Sequence, residues 1–187
     1  VLAGIPTVVY GYFALVYVTP ALAALGLPVG TFNVLSASIM VGIMIIPMVS
    51  SLSEDAMSAV PDSLRQAGYG MGATKFEVST GVVIPAAVSG IFSSFILALS
   101  RAIGETMIVA VAMGQSPQLL QLADPLANVF ESNQPMTAAM VQLVQAENAG
   151  GEVFQSMFAI GLTLFVVTFA MNLVSNRIAA RYREEYE

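Results

Sequence analysis

Four long apolar stretches alternate with segments rich in glycine, proline and charge. Residues 1–18, 34–52 and 154–174 carry no charged side chain, and 82–113 carries only Arg101 and Glu105. A hydrocarbon core ~30 Å thick is crossed by about 20 residues of helix at ~1.5 Å each. Backbone polar groups in lipid must find partners within the segment, so runs of this length are helical. The pattern predicts an all-α, polytopic membrane protein, one transmembrane domain over 1–187 with about four spans: 1–18, 34–52, 82–113 and 154–174. Between them lie a loop over 19–33, a polar loop over 58–80, and an external loop over 114–153.

The spans differ in detail. Pro6 sits early in the first, where a proline costs least if the helix starts near Gly4. Tyr10, Tyr12 and Tyr17 suit either the outer interface or packing. In the second, Pro47 should kink the helix or mark where it opens toward the loop. Met40, Met44 and Met48 form a stripe suited to adaptable packing against a neighbouring helix, with a substrate path as the rival reading. As one straight helix 82–113 would be about 48 Å long, too long for the core, so it projects into water, breaks near Gly104 or tilts. Its residues Gly90, Ser94, Ala98 and Ala102 recur every fourth position and let another helix come close. In the last span, Thr163, Thr168 and Asn172 are read as polar bonds between helices. The stretch 135–146 has a helical apolar face and should lie at the surface.

Composition sharpens this picture. The chain is 57% hydrophobic and 10% charged, outside the range of soluble domains. It has no Cys and no His, which removes disulfides, thiolate chemistry and the usual zinc sites; no metal or cofactor is called for. A net charge of −6 does not suggest nucleic acid. The chain opens inside an apolar run without Met, as expected of an N-terminally truncated fragment.

Two segments carry candidate chemistry. The first is the loop over 64–85, LRQAGYGMGATKFEVSTGVVIP, which follows Glu54, Asp55 and Asp62. Pro61 and the S-x-x-Q of Ser63 to Gln66 are helix-start signals, and Thr74 to Glu77 reads as a capping box. That predicts two short helices about a glycine elbow at Gly68, Gly70 and Gly72, a knob able to sit in a partner's cleft. The second is S-R-A-I-G-E-T over 100–106. An ionised side chain near mid-bilayer costs ~2.5–3.5 kcal/mol on an insertion scale. On one helix Arg101 and Glu105 stand four apart and can pair, although Arg before Glu is the less favourable order. In one reading both snorkel to the outer interface. In the other they face a water-filled path with Ser100 and Thr106, where a guanidinium fork suits a tetrahedral oxyanion.

The loop resembles the signature of ABC-importer permeases: E-A-A, three residues, G, nine residues, I, any residue, L-P. Gln66, Ala67 and Gly68 stand for E-A-A, Gly72 falls on the fixed glycine, and Val82, Ile84 and Pro85 fall on I, L and P. Two letters depart, Gln66 for Glu and Gly68 for Ala. With GIPTVVYGYFAL near the start and ALSRAIGETMIVAVAMG at 98–114, the chain is similar to the permease subunits of bacterial phosphate ABC importers. The resemblance implies a MetI-like permease core that passes inorganic phosphate. It implies Ser100, Arg101, Glu105 and Thr106 on the substrate path. An ATPase-coupling surface would include Arg65, Gln66, Ala67, Gly68, Gly72, Thr74, Lys75 and Pro85. The partners implied are a second homologous permease, two cytoplasmic ATPase subunits, an external phosphate-binding protein and membrane lipid.

Energy must come from another chain, since no G-x-x-x-x-G-K-[ST] occurs, and an enzyme activity is not expected here. Arg65 and Lys75 lie in the loop and Arg177, Arg181 and Arg183 in the tail, which places both in the cytoplasm of a bacterial inner-membrane protein. Four spans put them on the same side. A sulfate or molybdate permease is the near alternative; a secondary carrier or a membrane scaffold leaves the loop's register unexplained.

Overall fold

The computed structural model describes residues 4–119, 121–145 and 151–181. Every regular element among them is helical. In chain order they are α1 (Thr7–Ala24), α2 (Val34–Ser58), α3 (Asp62–Gly70), α4 (Lys75–Ile103), α5 (Met107–Ala112), α6 (Ala127–Phe130), α7 (Met136–Val144) and α8 (Glu152–Arg181). Helices α1, α2, α4 and, over Glu152–Val174, α8 are long and apolar enough to cross a bilayer. The chain is an all-α, multi-pass membrane protein.

The helices outrun the apolar stretches. Pro6 precedes α1, which starts at Thr7 and continues through Thr19–Ala24, a segment expected to be loop. Pro20 does not stop it, because the turn before it, Ala14–Val18, is of the wider π type. The same device recurs in α4: the π-type turn Ser79–Val83 comes two residues before Pro85. A widened turn shifts the hydrogen-bond register ahead of a residue that has no N–H to give. Helix α2 likewise runs through Pro47 and past residue 52, taking Glu54 and Asp55 with it to Ser58. Hydropathy marks where the membrane ends, and a helix can project beyond it.

Two compact units form. The first holds Val1–Ile45 and Arg101–Thr168. Its core is Tyr10, Ala14, Ala37, Met40, Met44, Ile108 and Ala112, so α5 packs with α1 and the first half of α2. Gly11 permits this approach: a Cβ there would stand 2.8 Å from Cβ of Val111. Tyr10 is core, whereas Tyr12 and Tyr17 are exposed. Asn33 is fully buried and starts α2. Its Oδ1 accepts from the Ser36 N–H at 2.7 Å, and its Nδ2 donates to Thr19 Oγ1 at 3.2 Å and the Gly30 carbonyl at 3.0 Å.

The second unit holds Ile46–Ser100 and Phe169–Glu187. Here the small-residue stripe of α4 meets the end of α2. A Cβ on Gly90 would lie 2.5 Å from that of Ala56, Ser94 Oγ is 2.8 Å from Ser53 Oγ, and Ala98 is wholly buried. Close backbone approach is the main source of helix association in lipid, where apolar burial gives no advantage. Below it, Val60, Val78, Val83 and Ala87 form a second small core.

No described residue of α8 within the candidate span is buried. Thr163 and Thr168 do not bond across helices as expected; they turn back onto the carbonyls of Ala159 (2.8 Å) and Leu164 (2.9 Å). A hydroxyl on a helix always has the carbonyl four residues back within reach. Asn172 does bond across, accepting from Ser100 Oγ at 3.2 Å.

Candidate transport site and coupling loop

The elbow is built as a helix stop followed by a helix start. Helix α3 begins at Asp62 after Pro61, with no side-chain cap, so Ser63 lies inside its first turn and the S-x-x-Q pattern does not start it. Gly68 and Gly70 are within α3, not between helices. Only Gly72 turns the chain, at φ +85°. The Ala73 N–H reaches the Gly68 carbonyl (3.2 Å) and the Gly72 N–H that of Tyr69 (2.9 Å), the paired bonds of a Schellman stop. Gly68 has a different task. It is buried, and a Cβ there would come within 2.9 Å of Val78 Cγ2, so it lets α3 lie on the start of α4.

Thr74 and Glu77 then form the capping box. The Glu77 carboxylate accepts from the Thr74 N–H at 2.7 Å, and Thr74 Oγ1 accepts from the Glu77 N–H at 3.3 Å. The helix so started is not a second short one, because the π-type turn carries it on as α4. Gln66, Ala67, Gly72, Thr74, Lys75 and Pro85 are exposed, as are the large apolar side chains Tyr69, Met71 and Phe76. Arg65 turns inward instead: Nη2 donates to the Met57 carbonyl at 2.6 Å, and Nε lies 3.7 Å from Asp62 Oδ1.

At the other candidate site the apolar stretch breaks at Gly104. Helix α4 ends at Ile103 with Arg101 in its last turn, and α5 starts at Met107. Arg101 and Glu105 therefore do not share a helix and do not pair; among the described residues the one ion pair joins Arg65 and Asp62. Glu105 Oε1 accepts instead from the N–H groups of Met107 (3.0 Å) and Ile108 (3.3 Å). Those two donors have no partner within α5, and in an apolar setting they need one. The Glu105 N–H goes to the Ala102 carbonyl at 3.2 Å, and its carbonyl takes the Thr137 hydroxyl of α7 at 3.2 Å. Helix α7 is thus bound to the break, not merely laid on a surface. Arg101 is exposed; Ser100 is held by Asn172, and Thr106 makes a long 3.5 Å contact to the Gly104 carbonyl.

The model of the binding-protein-dependent transport system inner membrane components matches residues 1–184. The chain belongs to that family. Among curated proteins it is similar to phosphate transport system permease protein PstC of Xylella fastidiosa (strain 9a5c), 31% identical over 204 residues, 96% of this chain and 59% of that one. Phosphate transport system permease protein PstA 1 of Mycobacterium tuberculosis (strain H37Rv) is 31% identical over 180 residues, 95% and 54% of the two chains. Probable ABC transporter permease protein YqgH of Bacillus subtilis is 28% identical over 180 residues, 96% and 56%. The chain spans a little over half the length of these relatives. No solved structure matches it.

For an inner membrane component of this family, five supporting residues left the sequence reading incomplete. Asn33 stood immediately before an apolar run, a readable cap signal. Thr137 and the amide chain Gln134–Gln142–Gln115, which joins α7 to the segment after α5, left no local signal, because their partners are distant in sequence. Of the tail cations, Arg177 is exposed and Arg183 lies outside the described residues.

Proposed function

We propose that the chain is the membrane-spanning part of an ATP-driven importer of inorganic phosphate. The observation that carries this reading is Arg101. It is a permanent cation at the broken end of an apolar helix, exposed and without an ion pair among the described residues, four positions before a carboxylate already engaged with backbone. A guanidinium left free in such a place is suited to receive a tetrahedral oxyanion by paired hydrogen bonds. The resemblance to PstC and PstA proteins supports phosphate as that anion. Ser100 and Thr106, on either side of the cation in sequence, belong to the same proposed path, and Glu105 acts by fixing the break that presents it.

In this reading a second homologous permease completes the path, an external phosphate-binding protein delivers the anion, and two ATPase subunits act from the cytoplasm. The elbow at Gln66, Ala67, Gly72, Thr74 and Lys75 is the surface they hold, with Tyr69, Met71 and Phe76 as its apolar tip. Loop and C-terminus both face the cytoplasm.

The test is phosphate uptake in cells without their own high-affinity permease, comparing the full-length gene product with its Arg101→Gln form. Restored uptake that the variant loses, at equal membrane abundance, supports the reading. Uptake equal in both removes Arg101 from the path. Uptake of sulfate in place of phosphate assigns another oxyanion.

A further inference from the structure

Arg65 is the charge of the elbow that the coupling surface does not use. Its side chain is folded under α3, and its Nη2 donates to the Met57 carbonyl, one residue short of the end of α2. Carbonyls there lack helical partners and carry the negative end of the helix dipole, so a cation binds them well. Met57 also accepts from the Val60 N–H at 3.3 Å, which closes the short connection from α2 to α3. The elbow is therefore attached at two points: by Arg65 to α2, and by the Gly68–Val78 contact to α4.

Those two helices are in turn locked together, within about a turn of Met57 on α2 and about three turns beyond Val78 on α4. Ser53 and Ala56 of α2 meet Ser94 and Gly90 of α4 through a 2.8 Å hydroxyl contact and a spacing too tight for one more Cβ. Close-packed contacts transmit displacement, because they have no free volume to absorb it. Past them, α4 continues to Arg101. Of its other donors, Nε is buried without a hydrogen bond, 3.7 Å from an Asp62 carboxylate that is 87% exposed. A buried donor without a partner is unfavourable, and a turn of the Asp62 side chain, one helical turn earlier on α3, would give it one.

We propose that Arg65 is a positioning residue that couples movement of the elbow to α2, and does not itself touch the ATPase. The proposal rests on the importer reading above. It assigns Arg65 a role distinct from that of its exposed neighbours Gln66 and Ala67: they meet the partner, and Arg65 carries the resulting displacement inward. The bond to the Met57 carbonyl is the link from this side chain to α2, so it is the contact that carries the movement.

The test uses the complete importer, with both permeases, ATPase and binding protein, in vesicles. ATP hydrolysis and phosphate transport are measured side by side for Arg65→Met, Arg65→Lys and the parent. Arg65→Met is expected to assemble and hydrolyse ATP near the parent rate while phosphate moved per ATP falls about tenfold, the scale of one charge-assisted hydrogen bond. Arg65→Lys keeps a donor for the Met57 carbonyl and should recover most of the ratio. Loss of hydrolysis in proportion to transport, with weakened ATPase retention, would make Arg65 a direct docking residue and overturn the proposal. An unchanged ratio in both variants overturns it also. Should Arg65→Met fail to assemble, the shorter, uncharged Arg65→Gln takes its place, a ratio lowered severalfold with the ATPase retained supporting the proposal and the parent's ratio overturning it. A parent complex that hydrolyses ATP and moves no phosphate removes the importer reading itself, and the proposal with it.

Discussion

Two helix starts in this chain use the same residue types in different surroundings. At α4, Thr74 and Glu77 cap each other in a polar, exposed loop. At α5, Glu105 and Thr106 stand inside an apolar stretch; the carboxylate does the capping, and Thr106 forms no side-chain cap. At the first start water is an alternative partner for every group involved. At the second no water competes if the break lies within the membrane, so a cap that is convenient at α4 becomes necessary at α5. The difference teaches why a carboxylate stands at 105. It caps the start of α5 beyond the break, and Arg101 has no ion pair among the described residues.

The comparison can be broken or sharpened by substitution, beginning where the effect is largest. Arg101→Gln should reduce phosphate uptake about a hundredfold, the scale for removing one member of a desolvated charge contact, without altering membrane insertion. Glu105→Leu should destabilise the first unit by about 2 kcal/mol by stranding the Met107 and Ile108 donors, read as lowered thermal unfolding in detergent. Glu105→Gln keeps the acceptor and should retain most stability and uptake. Equal damage from Gln and Leu would mean that the charge, not the cap, is what matters. At the polar start, Gly72→Ala should cost about 1–2 kcal/mol, because φ +85° is unfavourable for any Cβ. Thr74→Ala is the mildest, about 1 kcal/mol, seen as faster proteolysis of the elbow. If Thr74→Ala harmed stability as much as Glu105→Leu, the contrast between the two starts would fail.

Which of these features the sequence could reveal follows from how far apart the partners lie. The capping box at Thr74, the turn at Gly72 and the small-residue face of α4 were legible because each is a short pattern with one physical meaning. The break near Gly104 was one of three ways to fit an overlong apolar stretch, and one of the bonds at it comes from Thr137, over thirty residues away. Treating Arg101 and Glu105 as a helical pair followed from their spacing and failed because the helix ends between them. Arg65 read as a surface charge, since nothing local says that a guanidinium will fold back onto the Met57 carbonyl. Pro20 fell in a segment read as loop, whereas a π-type turn before it carries the helix through; a second such turn precedes Pro85.

The buried amide of Asn33 has a consequence for the order of events during synthesis. All its side-chain partners, Thr19, Gly30 and Ser36, lie within a short span of chain. Once Ser36 has been made, the side-chain amide needs nothing further down the chain, so the turn from α1 into α2 can be set early, while the Asn33 N–H waits for the Ala112 carbonyl at 3.1 Å. Contacts this local form early and at little entropic cost. The helices that follow then arrive at a template already set, and α5 finds the groove formed by Gly11 and Met40 waiting for it.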